Sequence, residues 1–347
     1  MRVLFTGHHG YIGSVLTPLL AKAGHEVVGL DVNYFADCFF GKPPAEIPSL
    51  NVDIRDVQPE HCEDFDAVIH LAALSNDPLG DLSPYITYDV NHLAAVRLAA
   101  AARAAGVHRF LFSSSCSLYG SARHGAGGDE KAVTEEAEFA PVTPYGESKV
   151  LAEQGISMLG DDGFAPTFLR NATVYGPSPR LRGDLEVNDL VAHAVTTGQV
   201  LLRSDGTSWR PLVHVEDVCG AFLALLDADM DLIRNRAYNV GRTDENYQIR
   251  QVAELVGAAV PGSTLTIAEG ASADNRTYQV DYSRIAREIP QFSPQWTLSA
   301  GILQLVDFYV EYGLTIEQFT GSQYQRISRI RELLDAGMLD AELRPRR

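Results

Sequence analysis

Three glycines, Gly7, Gly10 and Gly13, stand in the stretch FTGHHGYIGS between a short apolar run at residues 3–6 and an amphipathic stretch at residues 12–23. A strand that passes into a helix through glycines at this spacing commits the start of the chain to a βαβ unit. One glycine tightens the turn, one lets the backbone approach a pyrophosphate, and one lets helix and strand pack closely. The helix N-terminus adds free amides and a partial positive charge for the same phosphate. A second apolar run at 26–30 ends at Asp31, 18 residues beyond Gly13. A carboxylate there can bond a ribose 2′-hydroxyl and repels a 2′-phosphate, which favours NAD over NADP. His8 and His9 lie in the turn without a carboxylate or cysteine at ligand spacing, so no metal is expected there. They are expected to face the cofactor or solvent.

Further apolar runs at 67–71, 110–113 and 167–170 alternate with helical stretches at 91–105 and 145–159. This alternation describes a parallel sheet covered by helices on both faces, an α/β doubly wound fold. Pro18 falls inside the first helix and is expected to kink it. The stretch at 121–141 is rich in Gly, Glu and Ala without periodicity and reads as a long surface loop near the site. Beyond Tyr175 the pattern turns irregular, with Pro177, Pro179, Arg180 and Arg182 in a polar turn, as for a substrate lobe threaded through the sheet. The division expected is a dinucleotide-binding domain at 1–173, to which 211–241 return, a smaller lobe at 174–210 and 242–321, and a helix and tail at 322–347.

Charge narrows the partners. With 28 Lys and Arg against 45 Asp and Glu, the net charge of -17 argues against nucleic acid and against anionic membranes. Any anionic ligand must be held by local arginines and backbone amides. No apolar run approaches the roughly 20 residues that span a bilayer, and no leader pattern opens the chain, so a cytoplasmic protein is expected. Cys38, Cys62, Cys116 and Cys219 are scattered, without the pairing of a zinc site or a disulfide framework.

The chemistry is expected later. Tyr145 and Lys149 in PYGESKVLAE are four apart and share one helix face. Bringing a phenol from a pKa of about 10 to about 7 takes roughly 4 kcal/mol of preferential phenolate stabilisation. A neighbouring ammonium and an oxidised nicotinamide can supply it. The stretch FLFSSSCSLYG runs a strand into a serine-rich turn where such sheets bind ligands. A hydroxyl there can hold a substrate oxygen beside the tyrosine, although Ser113, Ser114 and Ser117 also suit turn-forming roles.

Taken together, these segments resemble the extended short-chain dehydrogenase/reductase family, and within it the sugar-nucleotide epimerases and dehydratases, from Met1 to about Tyr312. The TGHHGYIGS stretch, with Tyr11 and Ile12 beside the glycines, is similar to the family's T-G-x-x-G-x-I-G. DIRD, with Asp53 and Ile54, resembles its adenine-contacting turn. VIHLAA, with Leu71, Ala72 and Ala73, resembles its third-strand cofactor segment, and Asn91 in YDVNHLA matches its helix asparagine. Ser115, set by its spacing to LYG, falls on the catalytic Ser or Thr, while Tyr145 and Lys149 fall on the tyrosine and lysine. LRNATVYGPSPR, WRPLVHVEDV, AYNVGRT and DNRTYQVDYSRI are similar to blocks around the substrate.

The resemblance implies a Rossmann domain that holds NAD and a smaller carboxyl-terminal lobe that holds a nucleoside-diphosphate sugar. Tyr145 would remove a sugar hydroxyl proton, Lys149 would depress its pKa and grip the nicotinamide ribose, and Ser115 would bond the same hydroxyl. Ser113 joins the implied cofactor contacts. Thr173, which stands where many relatives have Asn, joins Asn188, Leu190, Arg210 and Arg276 as implied substrate contacts, the two arginines near the diphosphate. The 4,6-dehydratases place Asp-Glu after the catalytic residue, where this chain has Cys116 and Ser117; neither is a ready acid-base pair for elimination. The expectation is an NAD-dependent epimerase acting at C4, with a net ketoreductase or dehydrogenase as the alternative and a dehydratase, decarboxylase or NAD sensor behind it. Relatives dimerise through helices beginning near Asn91 and Tyr145, so a homodimer is expected.

Overall fold

The computed structural model describes residues 1–75, 77–121, 132–268 and 277–346. Its main sheet contains β1 (Arg2–Thr6), β2 (Glu26–Leu30), β3 (Ser49–Leu50), β4 (Ala67–His70), β5 (Arg109–Ser115) and β6 (Ala165–Asn171). Three more strands, β7 (Thr173–Tyr175), β8 (Gln199–Leu202) and β9 (Trp209–His214), precede β10 (Arg236–Val240), which returns to the sheet. Last come β11 (Asn246–Gln248) and β12 (Thr264–Ile267). The spatial order is β10-β6-β5-β4-β1-β2-β3, all parallel. The apolar runs read as buried strands are buried: every residue of β4 and β6, and all of β1 after Arg2. Sheets covered on both faces need such unbroken runs.

The chain winds one way from β1 through β2 to β3 and the other way through β4, β5 and β6. The reversal lies between β1 and β4, whose carboxyl ends open a crevice. Gly7 and Leu71 prolong the ladder there, Gly7 N donating to Leu30 O at 3.1 Å and Leu71 N to Thr6 O at 3.0 Å. The Thr6 hydroxyl and His70 Nδ1 meet at 2.6 Å beneath the crevice floor.

The first helix, Tyr11–Lys22, is continuous through Pro18, which lies on its exposed face. The helix expected at 91–105 is preceded by a π turn, Asp89–Leu93, that leads into Ala94–Ala104. Such a turn is a common way to re-aim a side chain at a site, and here the side chain is Asn91. The Gly-rich stretch expected as a surface loop is only partly described, since 122–131 lie outside the described residues. Its other half departs from that expectation: Val133 pairs with Val280, and the buried Glu135 carboxylate accepts from Asn239 N at 2.9 Å.

Around β7, β9 and β11, which form a three-stranded sheet, helices Glu186–Thr197, Ile249–Ala259 and Leu298–Glu311 build a second core. The C-terminal helix, Arg326–Asp335, leaves this lobe and packs Ile330 and Leu333 into a cluster with Leu74, Leu79 and Ile86 of the first half. No described helix is long and apolar enough to cross a membrane.

Candidate active site

A cavity of about 490 Å³ opens over the carboxyl ends of β1, β4 and β5. Gly7, Gly10, Tyr11, Ile12 and Gly13 form one wall, and Asp31, Asp53 and Ile54 a second. Leu71, Ala72 and Ala73 form the floor, and Ser113, Ser115, Tyr145 and Lys149 close the far end with Thr173 and Arg210. Asn91, Asn188 and Leu190 do not line it, and Arg276 lies outside the described residues.

The glycine turn is dictated by contact. Gly7 has φ +78°, and a Cβ on it would lie 2.6 Å from Ala72 N; a Cβ on Gly13 would lie 2.3 Å from Gly7 O. Both positions exclude any side chain. The helix that starts at Tyr11 has no side-chain cap and no acidic residue in its first turn, so its first amides remain available to an anion. Asp31 accepts from His9 N at 3.2 Å and Asn33 N at 2.7 Å, and burial raises its pKa above the usual carboxylate range. The uncapped amides, the glycine cradle and the carboxylate at the end of β2 fit a dinucleotide.

His9 lines the cavity, but His8 does not face cofactor or solvent as expected. It is buried against Gly29 of β2, and neither ring nitrogen has a hydrogen-bond partner among the described residues. Burial pushes its pKa down to about 3. The unfolded chain therefore takes up a proton as pH falls through 6.5 while the folded chain does not, so stability is lost in that direction. His8→Leu is expected to stabilise the protein by about 1–3 kcal/mol at pH 7.5, since two unpaired buried nitrogens disappear. The gain should widen by up to about 1.4 kcal/mol per pH unit below pH 6.5. Denaturant unfolding at pH 7.5 and 5.5 checks both; an unchanged gap would show that His8 is not held neutral.

Asn91 acts as a brace. Its Oδ1 accepts from Leu74 N at 2.8 Å, and its Nδ2 donates to Leu74 O at 3.0 Å and to Ser148 Oγ at 3.2 Å. It thereby ties the loop after β4 to the helix Pro144–Ser157, one residue before Lys149. Asn188 is fully buried and bonds Gly176 N at 3.1 Å and Arg182 O at 3.2 Å, while Leu190 sits in the second core.

The helix Pro144–Ser157 begins with Pro144 at its first position and Thr143 as its cap, accepting from Gly146 N at 3.1 Å. This start places Tyr145 at the cavity and Lys149 one turn deeper. Lys149 Nζ donates to Ser113 O at 2.8 Å and lies 4.6 Å from the Phe112 ring centre and 5.8 Å from that of Tyr145. Burial pushes Lys149 down to about 7, opposed by Glu153, and pushes Tyr145 up to about 12, opposed by a hydrogen bond with Ser115.

The three consecutive serines have different duties. Ser113 Oγ accepts from Asn171 Nδ2 at 3.1 Å, and Ser114 donates to the buried Glu153 carboxylate. Ser115 caps the short turn Cys116–Tyr119 and reaches Tyr145. Cys116 is fully buried, its thiol directed at Arg170 O at 3.2 Å and its pKa raised by burial. It is not a base.

Sequence reasoning missed Arg182 and Arg326 as wall residues. Arg182, read only as part of a polar turn, is buried, pairs with Asp184 at 2.8 Å and donates to Ser75 Oγ at 3.1 Å. Its positive charge favours the Tyr145 phenolate. No spacing signal marks Arg326, which comes from a tail with no readable role.

Comparison with known proteins identifies a family and a shared fold. Residues 3–241 match the NAD dependent epimerase/dehydratase family. A UDP-glucose 4-epimerase of Mycolicibacterium smegmatis is 29% identical over 328 residues, covering 89% of this chain and 98% of that protein. The solved UDP-glucose 4-epimerase of Thermus thermophilus, in complex with NAD, superposes with a TM-score of 0.73 at 28% identity, covering 89% of this chain and 99% of that one. A dTDP-glucose 4,6-dehydratase from Streptomyces venezuelae, with NAD bound, shares the fold with a TM-score of 0.75 at 23% identity over 90% of this chain and 97% of its own. With its glycine cradle, its paired tyrosine and lysine, and a family match over most of its length, the chain belongs to the NAD dependent epimerase/dehydratase family.

Proposed function

We propose that the protein inverts C4 of a nucleoside-diphosphate sugar through a transient 4-keto intermediate. The observation that carries this reading is the convergence of Ser115, Tyr145 and Lys149 on one cavity, with neutral Cys116 and Ser117 in the two positions that follow Ser115. A 4,6-elimination needs a proton donor and acceptor next to the catalytic serine. Here Cys116 is a buried thiol bonded to a carbonyl, and Ser117 is a neutral hydroxyl.

In this mechanism Ser115 bonds the sugar 4-hydroxyl and Tyr145 takes its proton as phenolate. Lys149 and Arg182 stabilise the phenolate charge, and Lys149 grips the nicotinamide ribose. NAD held in this cavity would supply the acceptor for the C4 hydride and the donor that restores it on the opposite face once the keto sugar has turned. Tyr145 gives its proton back to the new hydroxyl. Gly7, Gly10, Gly13, Tyr11 and Ile12 would cradle the cofactor pyrophosphate, Asp31 its adenosine ribose, and Asp53 and Ile54 its adenine. Leu71, Ala72, Ala73 and Ser113 would line the rest of its course, with Asn91 bracing the loop beneath it. Residues 174–210 and 242–321 would hold the nucleoside diphosphate, with Thr173 near the sugar.

Arg210 is buried and lines the cavity, and in this reading it meets the substrate diphosphate. Arg210→Ala is expected to raise the Michaelis constant by about 10- to 100-fold while NAD retention is unchanged. Equal losses of both would place Arg210 at the cofactor. The exposed Tyr85, Leu93 and Leu151 lie on adjoining helices of one flank, and in the proposed assembly they meet a second copy of the chain; sedimentation as a monomer would reject that assembly.

Proton NMR of the protein with a panel of nucleoside-diphosphate hexoses and only catalytic NAD tests the reaction. UDP-glucose comes first, because the relatives are named for it. Inversion at C4 without net NADH is the expected result. Turnover that requires stoichiometric NAD or NADH would make the protein a net oxidoreductase using the same three residues.

A further inference from the structure

The C-terminal segment builds part of the cavity wall. After the helix Arg326–Asp335, Asp340 turns the chain by accepting from Glu342 N at 3.0 Å and Arg344 N at 2.7 Å. The turn places Leu343 in the wall at φ +58°, a conformation a branched residue keeps only where its surroundings hold it. Those surroundings are the segments around Asp31 and Ile54. Tyr34 donates to Leu343 O, Arg55 Nη1 to Glu342 O at 2.7 Å, and Arg344 pairs with Asp56 at 2.6 Å.

Arg326 starts this helix, is only 4% exposed and lines the cavity. Its guanidinium lies 3.8 Å from the Phe35 ring centre, and Nη2 donates to Arg180 O at 3.2 Å. Its Nη1 is buried without a hydrogen-bond partner among the described residues, as is Nε of the neighbouring Arg180. Burial, aided by the charge of Arg182, lowers the Arg326 pKa to about 10. A chain of net charge -17 thus sets the guanidiniums of Arg182 and Arg326 in the cavity wall, with Arg180 against Arg326, and leaves Arg326 Nη1 and Arg180 Nε without a partner among the described residues. Buried charged donors without a partner call for an anionic acceptor. The anionic part of NAD is its pyrophosphate.

We propose that Arg326 is a ligand of the cofactor pyrophosphate, supplied by the C-terminal helix, so that residues 326–346 are part of the NAD site. This rests on reading the cavity as that site and not on which sugar is inverted. The test is calorimetric titration of NAD-stripped full-length protein with NAD and, separately, with UDP. Arg326→Met is expected to weaken NAD binding by about 10- to 100-fold, the loss of one charge-assisted hydrogen bond in a buried site. UDP affinity should stay unchanged, and Arg326→Lys should recover part of the loss. Arg331→Met removes an exposed charge from the same helix and should alter neither affinity. Without NAD the thermal midpoint of Arg326→Met should equal or exceed that of the parent, while its rise on adding NAD shrinks, which separates ligation from a folding defect. NAD bound as by the parent, or UDP weakened more than NAD, would overturn the assignment. If NAD binding depends on Arg326 but no sugar is inverted, the epimerase reading fails and this one stands.

Discussion

Tyr145→Phe is expected to lower kcat for sugar inversion by about 10³-fold or more, with NAD content and melting temperature close to those of the parent. The phenol bonds Ser115, the Arg182 charge favours its phenolate while Asp77 opposes it, and Lys149 Nζ lies 5.8 Å from its ring centre. Burial alone works against it, pushing Tyr145 up to about 12 and Lys149 down to about 7. The proposed phenolate therefore needs a cation facing it. In the proposed reaction Tyr145 acts deprotonated, so kcat/KM should fall on the acid side of its apparent pKa. Lys149→Met removes a stabilising charge and should move that acid limb to higher pH. Stopped assays across pH 5–9 would show the limb, and a Tyr145→Phe protein that inverts sugar within about tenfold of the parent would remove the tyrosine from the chemistry.

Arg170→Met is expected to destabilise the fold by about 3–5 kcal/mol, because it leaves a carboxylate buried without its partner. Arg170 on β6 makes a bidentate contact with Glu153 on the helix Pro144–Ser157, the closest approach being 2.7 Å, and both side chains are only 6% exposed. Nη1 of Arg170 also donates to Tyr119 Oη at 3.1 Å and to Glu135 O at 3.0 Å. Glu153 lies one turn beyond Lys149, so the pair sets the helix that carries Tyr145 and Lys149 against the sheet. Glu153→Gln, which keeps hydrogen bonding to Ser114 without a charge, should cost less than Arg170→Met. Equilibrium unfolding gives the comparison; equal and small losses from both would mean that water reaches the pair and screens it.

Much of the fold was legible because its signals are local. A fully buried parallel strand must be an apolar run, and a strand-to-helix turn that touches the backbone of β4 must be glycine at Gly7. Tyr145 and Lys149 were legible for the same reason, since one helical turn separates them. Choosing Ser115 over Ser113 and Ser114 from the chain took a resemblance, because the three alternate across a strand and their partners, Asn171, Glu153 and Tyr145, come from other elements. The burial of His8 against Gly29 depends on the neighbouring strand, and no pattern within the turn encodes it.

The sequence by itself determined the alternation of strands and helices, the glycine cradle, the carboxylate at the end of β2 and the tyrosine-lysine pair, since each depends on neighbours within a few residues. Tertiary structure alone decided that Asn91 braces the loop after β4, that Arg182 adds its charge beside Tyr145, and that Arg326 returns from the far end of the chain to the cavity wall. Those contacts join residues tens to hundreds of positions apart, and their existence depends on which surfaces the folded core brings together.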